Sequence, residues 1–274
     1  TGTALIGTRI PMIASEHAPP EHYRNHFFQK LMIQITPFIA AKITVVSNQI
    51  FNSYGWWLRR RMSVVLNPVI TQTSKIKSDP RIMQSSLKTI LSVGRLGPEK
   101  NHRCLISAFA IVSPVYPNWC LRIVGEGMLR ADLEAQTRSL GLQDKVYFPG
   151  AISDIDAEYL NSDLFVSPSL YESFGLATVE ALLNGIPAVG FNDCQGTNDL
   201  ITHNENGMLV SGPNRIQSLA LTLKDLMGNP QELNRLSNAP KDRLLSLFNI
   251  NSVLDSWEIL TMQVLKVSVP IKPV

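Results

Sequence analysis

The sequence predicts an α/β protein: a doubly wound parallel-sheet lobe at the C-terminal end and a partial α/β lobe at the N-terminal end. Three observations carry this. Short, continuous apolar segments alternate with helical patterns from residue 89 onward, as in a parallel sheet covered on both faces. The front of the chain shows only about three strand-like segments, fewer than the five or six of a self-sufficient doubly wound domain. A polar stretch containing Pro80 separates the two and reads as a linker.

In chain order, "RIPMIASEH" (9–17) reads as a strand, and a partly amphipathic stretch follows over roughly 21–42, with Pro37 marking a break or a helix start. "KITVVSNQ" (42–49) is a second strand, "SYGWWLRRR" (53–61) a short helix or turn, and "MSVVLNPV" (62–69) a third strand. Beyond the linker, strands are expected at 89–94, 120–125, 145–150, 163–169 and 187–192. Helices are expected at about 101–113, 128–140, 154–161 and 175–184, then 214–227, 230–247 and 252–266. The expected organisation is a partial lobe (1–70), a linker (71–86), a doubly wound lobe (87–250), and a C-terminal helix and tail (251–274) packing back on the first lobe. The front fragment suggests a chain truncated at its N-terminus.

Bulk properties exclude several classes. With 45% hydrophobic and 17% charged residues, the chain can bury a core and is not wholly disordered. A net charge of +3 is too weak to argue for nucleic acid but suits phosphorylated ligands or an anionic membrane. Cys104, Cys120 and Cys194 lack metal-site spacing and read as free thiols. No apolar run is long enough for a transmembrane helix, and no secretory leader is visible. Trp56 and Trp57 beside Arg59–Arg61 predict contact with an anionic membrane surface; the rival reading is a solvated helix end with buried tryptophans.

Candidate ligand groups cluster at strand ends, where doubly wound sheets bind ligands. In "SVGRLGPEKNH" (92–102), Arg95 and Lys100 follow Gly94 and suit a diphosphate, or are solvated surface charges. Gly125 and Gly127 make either a tight turn or a close approach to a nucleoside. Asp154 and Asp156 form a DxD that reads as a helix start, with Asp154 the N-cap, so no metal is expected. "LYESFGLATVEALLNGIP" (170–187) holds Glu172 before a helix beginning about Phe174 or Gly175, and Glu180 inside it. The N–H groups of Phe174, Gly175 and Leu176 would face a ligand. The two acids either hold opposite ends of one elongated ligand or serve as a dipole partner and a surface charge; the apolar neighbours Thr178, Val179, Ala181 and Leu182 disfavour the second reading for Glu180. "NDCQGTNDLI" (192–201) reads as a strand end, a Gly turn and a short helix, with Gly196, Thr197 and Asn198 as further donors.

Taken together, "VGRLGPEKN", "VGEG", "FPGAISDI", "PSLYESFGLATVEALLNGIPAV" and "GTNDLITHNENGMLV" resemble the nucleotide-sugar-binding lobe of family 4 retaining glycosyltransferases, which have the GT-B fold. "IASEH" and "VVSNQI…VVLNPV" are similar to the later part of that family's acceptor lobe. The resemblance implies hexose transfer from a nucleoside-diphosphate sugar, more specifically a UDP-sugar, to a glycan or lipid-linked saccharide, with retained configuration, no cofactor and no metal. It assigns donor binding to Gly94, Arg95, Lys100, Gly125, Glu172, Phe174, Gly175, Leu176 and Glu180, the last holding the ribose and Glu172 lying near the hexose, in an E-x7-E motif. It assigns catalytic roles to Arg95, Lys100, Glu172 and His17. A cytoplasmic location, peripheral on the inner face of the membrane, follows from such an acceptor. Another GT-B enzyme, such as an epimerase or phosphorylase, and an inactive binding-only fragment are the alternatives.

Overall fold

The computed structural model describes residues 10–18, 20–23, 27–69 and 87–266. The expected linker 71–86 lies outside the described residues, as does the tail beyond Lys266. The chain divides into two units, Thr1–Ile70 with Leu245–Val274, and Thr71–Leu244.

The second unit is built on six parallel strands: β4 (Lys88–Val93), β5 (Trp119–Val124), β6 (Val146–Gly150), β7 (Leu164–Ser167), β8 (Ala188–Phe191) and β9 (Gly207–Val210). Their spatial order is β6-β5-β4-β7-β8-β9. The chain therefore starts in the middle, winds out to β6, returns to the other side of β4 and winds out again. The reversal between β4 and β7 is a topological switch point, and the loops leaving these two strands frame a crevice there.

The helices of this unit are α4 (His102–Val112), α5 (Arg130–Ser139), α6 (Ile155–Leu160), α7 (Leu176–Leu183), α8 (Arg215–Met227) and α9 (Pro230–Ser237). Local chemistry starts several of them. Asn214 and Asn229 accept from the N–H groups of Gln217 and Glu232, giving α8 and α9 N-caps, and Pro230 occupies the first turn of α9. The core joins Leu105, Ile106 and Phe109 of α4 and Leu219 and Leu223 of α8 to Ile90, Leu121, Ile123, Leu164 and Val189 of the sheet.

Three expectations need correction here. β9 was not anticipated: only four residues long and opening on Gly207 after Asn206, it gives no periodic signal, and its pairing with β8 is non-local. The stretch 192–200 forms turns, with no helix. The single helix expected over 230–247 is two, α9 and α10 (Asp242–Phe248), because Pro240 disfavours helical geometry at the residue before it.

In the first unit, β1 (Ile13–Glu16), β2 (Lys42–Val45) and β3 (Met62–Val64) form a parallel sheet in the order β1-β2-β3. The strand expected over 42–49 ends early because Ser47 accepts from the N–H of Ile50, capping α2 (Asn48–Ser53). Pro37 does not break the chain; it lies inside α1 (Phe27–Ile39), close enough to the end that the donor it lacks would serve only the last turn. α3 (Trp56–Arg59) follows, with Trp56 66% and Trp57 42% exposed, so the buried-tryptophan reading falls. α11 (Ile250–Leu265) places Val253 and Leu260 against Val65 and Ile13, and the Val69 N–H donates to Phe248 O at 2.8 Å.

Candidate functional site

At the switch point, the β4 loop and the β7 loop are bound to each other. Lys100 sits at the end of a 3-10 turn (Pro98–Lys100), and its aliphatic chain crosses Gly94, where an added Cβ would lie 3.3 Å from it. Its ammonium donates to Glu172 Oε1 at 2.6 Å, and Ser169 Oγ donates to the same oxygen at 2.7 Å. The pair is largely enclosed, with side-chain exposures of 22% for Lys100 and 15% for Glu172. Two further links reinforce it: Leu170 N–H donates to Glu99 O at 2.8 Å, and the Asn101 side-chain amide Nδ2 to Pro168 O at 3.3 Å.

Arg95 behaves differently. Its guanidinium is 74% exposed and grips Glu99 at 2.7 Å. Burial opposes ionisation of Glu99, but hydrogen bonding and charge from Arg95, with Lys100 nearby, outweigh it and hold the carboxyl below its usual range.

The two glycines after β5 have a structural cause of their own. Gly125 has φ of +138°, and an added Cβ would strike the Gly94 carbonyl; one at Gly127 would reach 2.5 Å from Leu96 O. Both positions let the β4 and β5 loops pass backbone to backbone.

α7 begins one or two residues later than expected. Gly175 is its N-cap with φ of +83°, and an added Cβ there would press on Leu200 and on the Gly196 carbonyl. The N–H groups of Gly175, Leu176 and Ala177 have no acceptor among the described residues, leaving a donor set at the helix start beside Glu172. The Phe174 side chain is buried. One turn in, Glu180 Oε2 accepts from the Tyr159 hydroxyl at 2.8 Å, and that hydroxyl also lies 3.3 Å from Ala177 O. Burial raises the Glu180 carboxyl above its usual range, Asp156 adds to the rise, and the Tyr159 hydrogen bond works against it. A half-buried acid with one oxygen held by a phenol is positioned to receive ligand hydroxyls on the other.

Asp154 accepts from Ala157 N–H at 3.2 Å and caps α6, with Asp156 in its first turn. His17 belongs to the other unit, where it is exposed and pairs with Ser15 Oγ at 3.0 Å. Sequence reasoning missed two residues. Arg215, at the start of α8, stacks 3.6 Å over Phe191, holds both Asp193 oxygens at 2.7 Å and donates to Ser169 O at 3.1 Å, bracing the loop that carries Glu172. Tyr159 was the second. The capping Asn214 before Arg215 was a visible signal; nothing local marked Tyr159.

The sequence model described as glycosyl transferases group 1 matches residues 76–243. The chain belongs to this family. An uncharacterised glycosyltransferase of Haemophilus influenzae is 33% identical over 93% of this chain and 70% of its own length. A Campylobacter jejuni relative, 27% identical over 93% of this chain and 68% of its own, is named an alpha-1,4-N-acetyl-D-galactosaminyltransferase acting on an undecaprenol-diphosphate-linked saccharide. Among solved structures, Anabaena HepE in complex with UDP and glucose aligns with a TM-score of 0.80 at 22% identity, covering 95% of this chain and 74% of that one. Staphylococcus aureus TarM aligns at 0.78 and 21%, over 92% and 51%. The fold of this group 1 glycosyltransferase is GT-B. Among the described residues, no helix is long and apolar enough to cross a membrane.

Proposed function

We propose that the chain carries the donor site of a retaining hexosyltransferase, metal-independent, that uses a UDP-sugar and a glycan or lipid-linked saccharide acceptor, and that works as a peripheral protein on the inner face of a membrane. The observation that carries the reading is the Lys100–Glu172–Ser169 junction at the switch point, beside the donor-lined start of α7 and with Glu180 one turn further on. HepE in complex with UDP and glucose, and the Campylobacter relative named for a lipid-linked saccharide, support the substrate classes.

The chemistry follows from charge. As the glycosidic bond of the donor lengthens, positive charge spreads over the sugar ring and negative charge builds on the departing diphosphate. Lys100, Arg95 and the free N–H groups of α7 are the groups suited to stabilise that charge. Glu172 pairs with the Lys100 ammonium and holds it in place. A diphosphate competes for that ammonium, which leaves Glu172 to accept sugar hydroxyls and orient the hexose. Glu180, held by Tyr159, takes the ribose. His17 serves the acceptor side.

Calorimetry of the folded chain in chelator tests this. Removing a hydrogen-bonded charge costs about 1.5–3 kcal/mol, so Glu180→Ala weakens UDP roughly 10- to 150-fold. Glu172→Ala leaves UDP within a few-fold of the parent and lowers transfer instead. Equal loss of UDP in both variants, or in neither, sinks the two-ended assignment; a large gain in affinity on adding manganese sinks metal independence.

A further inference from the structure

Glu172 takes its place from two loops. Within 168–172, after β7, Ser169 Oγ donates to its Oε1 at 2.7 Å. Within 192–196, after β8, Gln195 O accepts from the Glu172 N–H at 3.1 Å. Gly196 lets the two backbones meet, since an added Cβ there would lie 2.5 Å from the Glu172 carbonyl oxygen.

One side chain ties both loops. Arg215, the first residue of α8, donates through Nη1 to both Asp193 oxygens at 2.7 Å and through Nη2 to Ser169 O at 3.1 Å. Its Cζ lies 3.6 Å from the centre of the Phe191 ring, and Phe191 is buried. A planar guanidinium can lie flat on a ring and donate sideways in two directions. A lysine ammonium, a point charge on a flexible stem, replaces one of these contacts at a time. Both Nη atoms bond to the scaffold, and Nε is buried with no hydrogen-bond partner among the described residues. The guanidinium is thus spent on holding loops.

We propose that Arg215 is a positioning residue of the donor site: by locking Ser169 and the Asp193 turn together, it fixes the place of the Glu172 carboxylate. The proposal rests on the reading of Glu172 as the group that orients the hexose, and deepens it. Arg215 acts on the sugar through Glu172 and does not itself touch the donor. A hydrogen bond weakens steeply with distance and angle, so slack in these loops costs sugar contacts even where the fold is intact.

The test is calorimetry of the 274-residue chain with UDP and with four probes, UDP-glucose, UDP-galactose and their N-acetylated forms. The sugar's share is the Kd of UDP divided by that of the tightest probe. Arg215→Met keeps a long chain over Phe191 and loses both loop bonds. It should leave UDP within about threefold of the parent and cut the sugar's share about tenfold. Arg215→Lys should do the same, because the fork matters and the charge alone does not. In a Glu172→Ala background, Arg215→Met should add no further loss. Asp193→Ala alters a side chain that is 71% exposed, so it should keep the parent's urea midpoint and lower the share in the same direction by less. It carries the test if Arg215→Met unfolds. With UDP still bound, the proposal is overturned by a share indifferent to Arg215→Met and Asp193→Ala, or by a further loss in the Glu172→Ala background. It is also overturned by a fall in UDP affinity that Arg215→Lys restores, which makes the arginine a direct diphosphate contact. A parent that binds UDP with no sugar's share removes the Glu172 assignment and this proposal together. A parent that binds no UDP removes the donor site itself.

Discussion

In the six-stranded unit, Ile90, Leu105, Phe109, Leu121 and Leu164 are completely buried; in the three-stranded unit, Phe27, Phe28 and Phe38 stand in water. The charges differ in the same sense. The Thr71–Leu244 unit has 16 Lys and Arg against 18 Asp and Glu, many of them paired, as in Arg122–Glu158, Lys88–Asp163 and Lys100–Glu172. The other unit has nine against four. Apolar residues turned outward in a unit with an excess of cations are surface composed for contact, whereas balanced charge over a closed core is surface composed for water and a small ligand. Residues 76–243, which match the family model, lie within the closed unit, and the proposed donor site sits on that rigid scaffold.

The contrast can be broken or sharpened by substitution. Phe109→Ala opens a cavity in the closed core and should cost about 3–5 kcal/mol in urea unfolding. Equal tolerance of Phe109→Ala and Phe28→Ala would erase the contrast.

His102 provides the next largest effect. It is 3% exposed, and its Nδ1 has no hydrogen-bond partner among the described residues. Burial, helped by the Lys100 cation and opposed by Glu99, pushes its pKa down from 6.5 to about 4. The unfolded chain therefore binds more protons than the native one between those values. Its contribution is fully present above pH 6.5 and is lost as pH falls towards 4, amounting to about 3 kcal/mol. Glu180, whose carboxyl is raised, has the opposite slope, losing stability as pH rises through its folded value. The difference in stability between the parent and His102→Leu across this range isolates the histidine; a difference that does not change with pH would show that His102 is not buried neutral.

Asp154→Ala removes the α6 cap and should cost about 1 kcal/mol, with UDP affinity in chelator and in manganese unchanged. Smallest of all, Phe28→Ala should stay within about 0.5 kcal/mol of the parent, the usual range for an exposed position. A larger loss would mean that the ring is covered.

Much of the closed unit was legible because its signals are local. Apolar runs ending at Gly94, Gly125 and Gly150 fall at strand ends, and Asp154 and Asn214 can cap a helix from within three residues. What was misread depends on distant partners: β9 exists because β8 offers it an edge, and the turns at 192–200 hold positions set by α7 through Gly175 and Gly196.

By itself, the sequence determined the alternation of strands and helices, the caps, and which side chains carry charge at the strand ends, because each depends on neighbours within about one turn of chain. Only the tertiary structure decided that β4 and β7 lie side by side, and so that Lys100 meets, across 72 residues of chain, the Glu172 oxygen that Ser169 also holds. It also paired Tyr159 with Glu180 and turned the apolar stripe of α1 outward. The physical reason is the same in each case. Periodicity reveals that a helix has an apolar side, and spacing reveals that two charges can meet, but the direction of that side and the partner of each charge are set by packing between segments far apart in sequence.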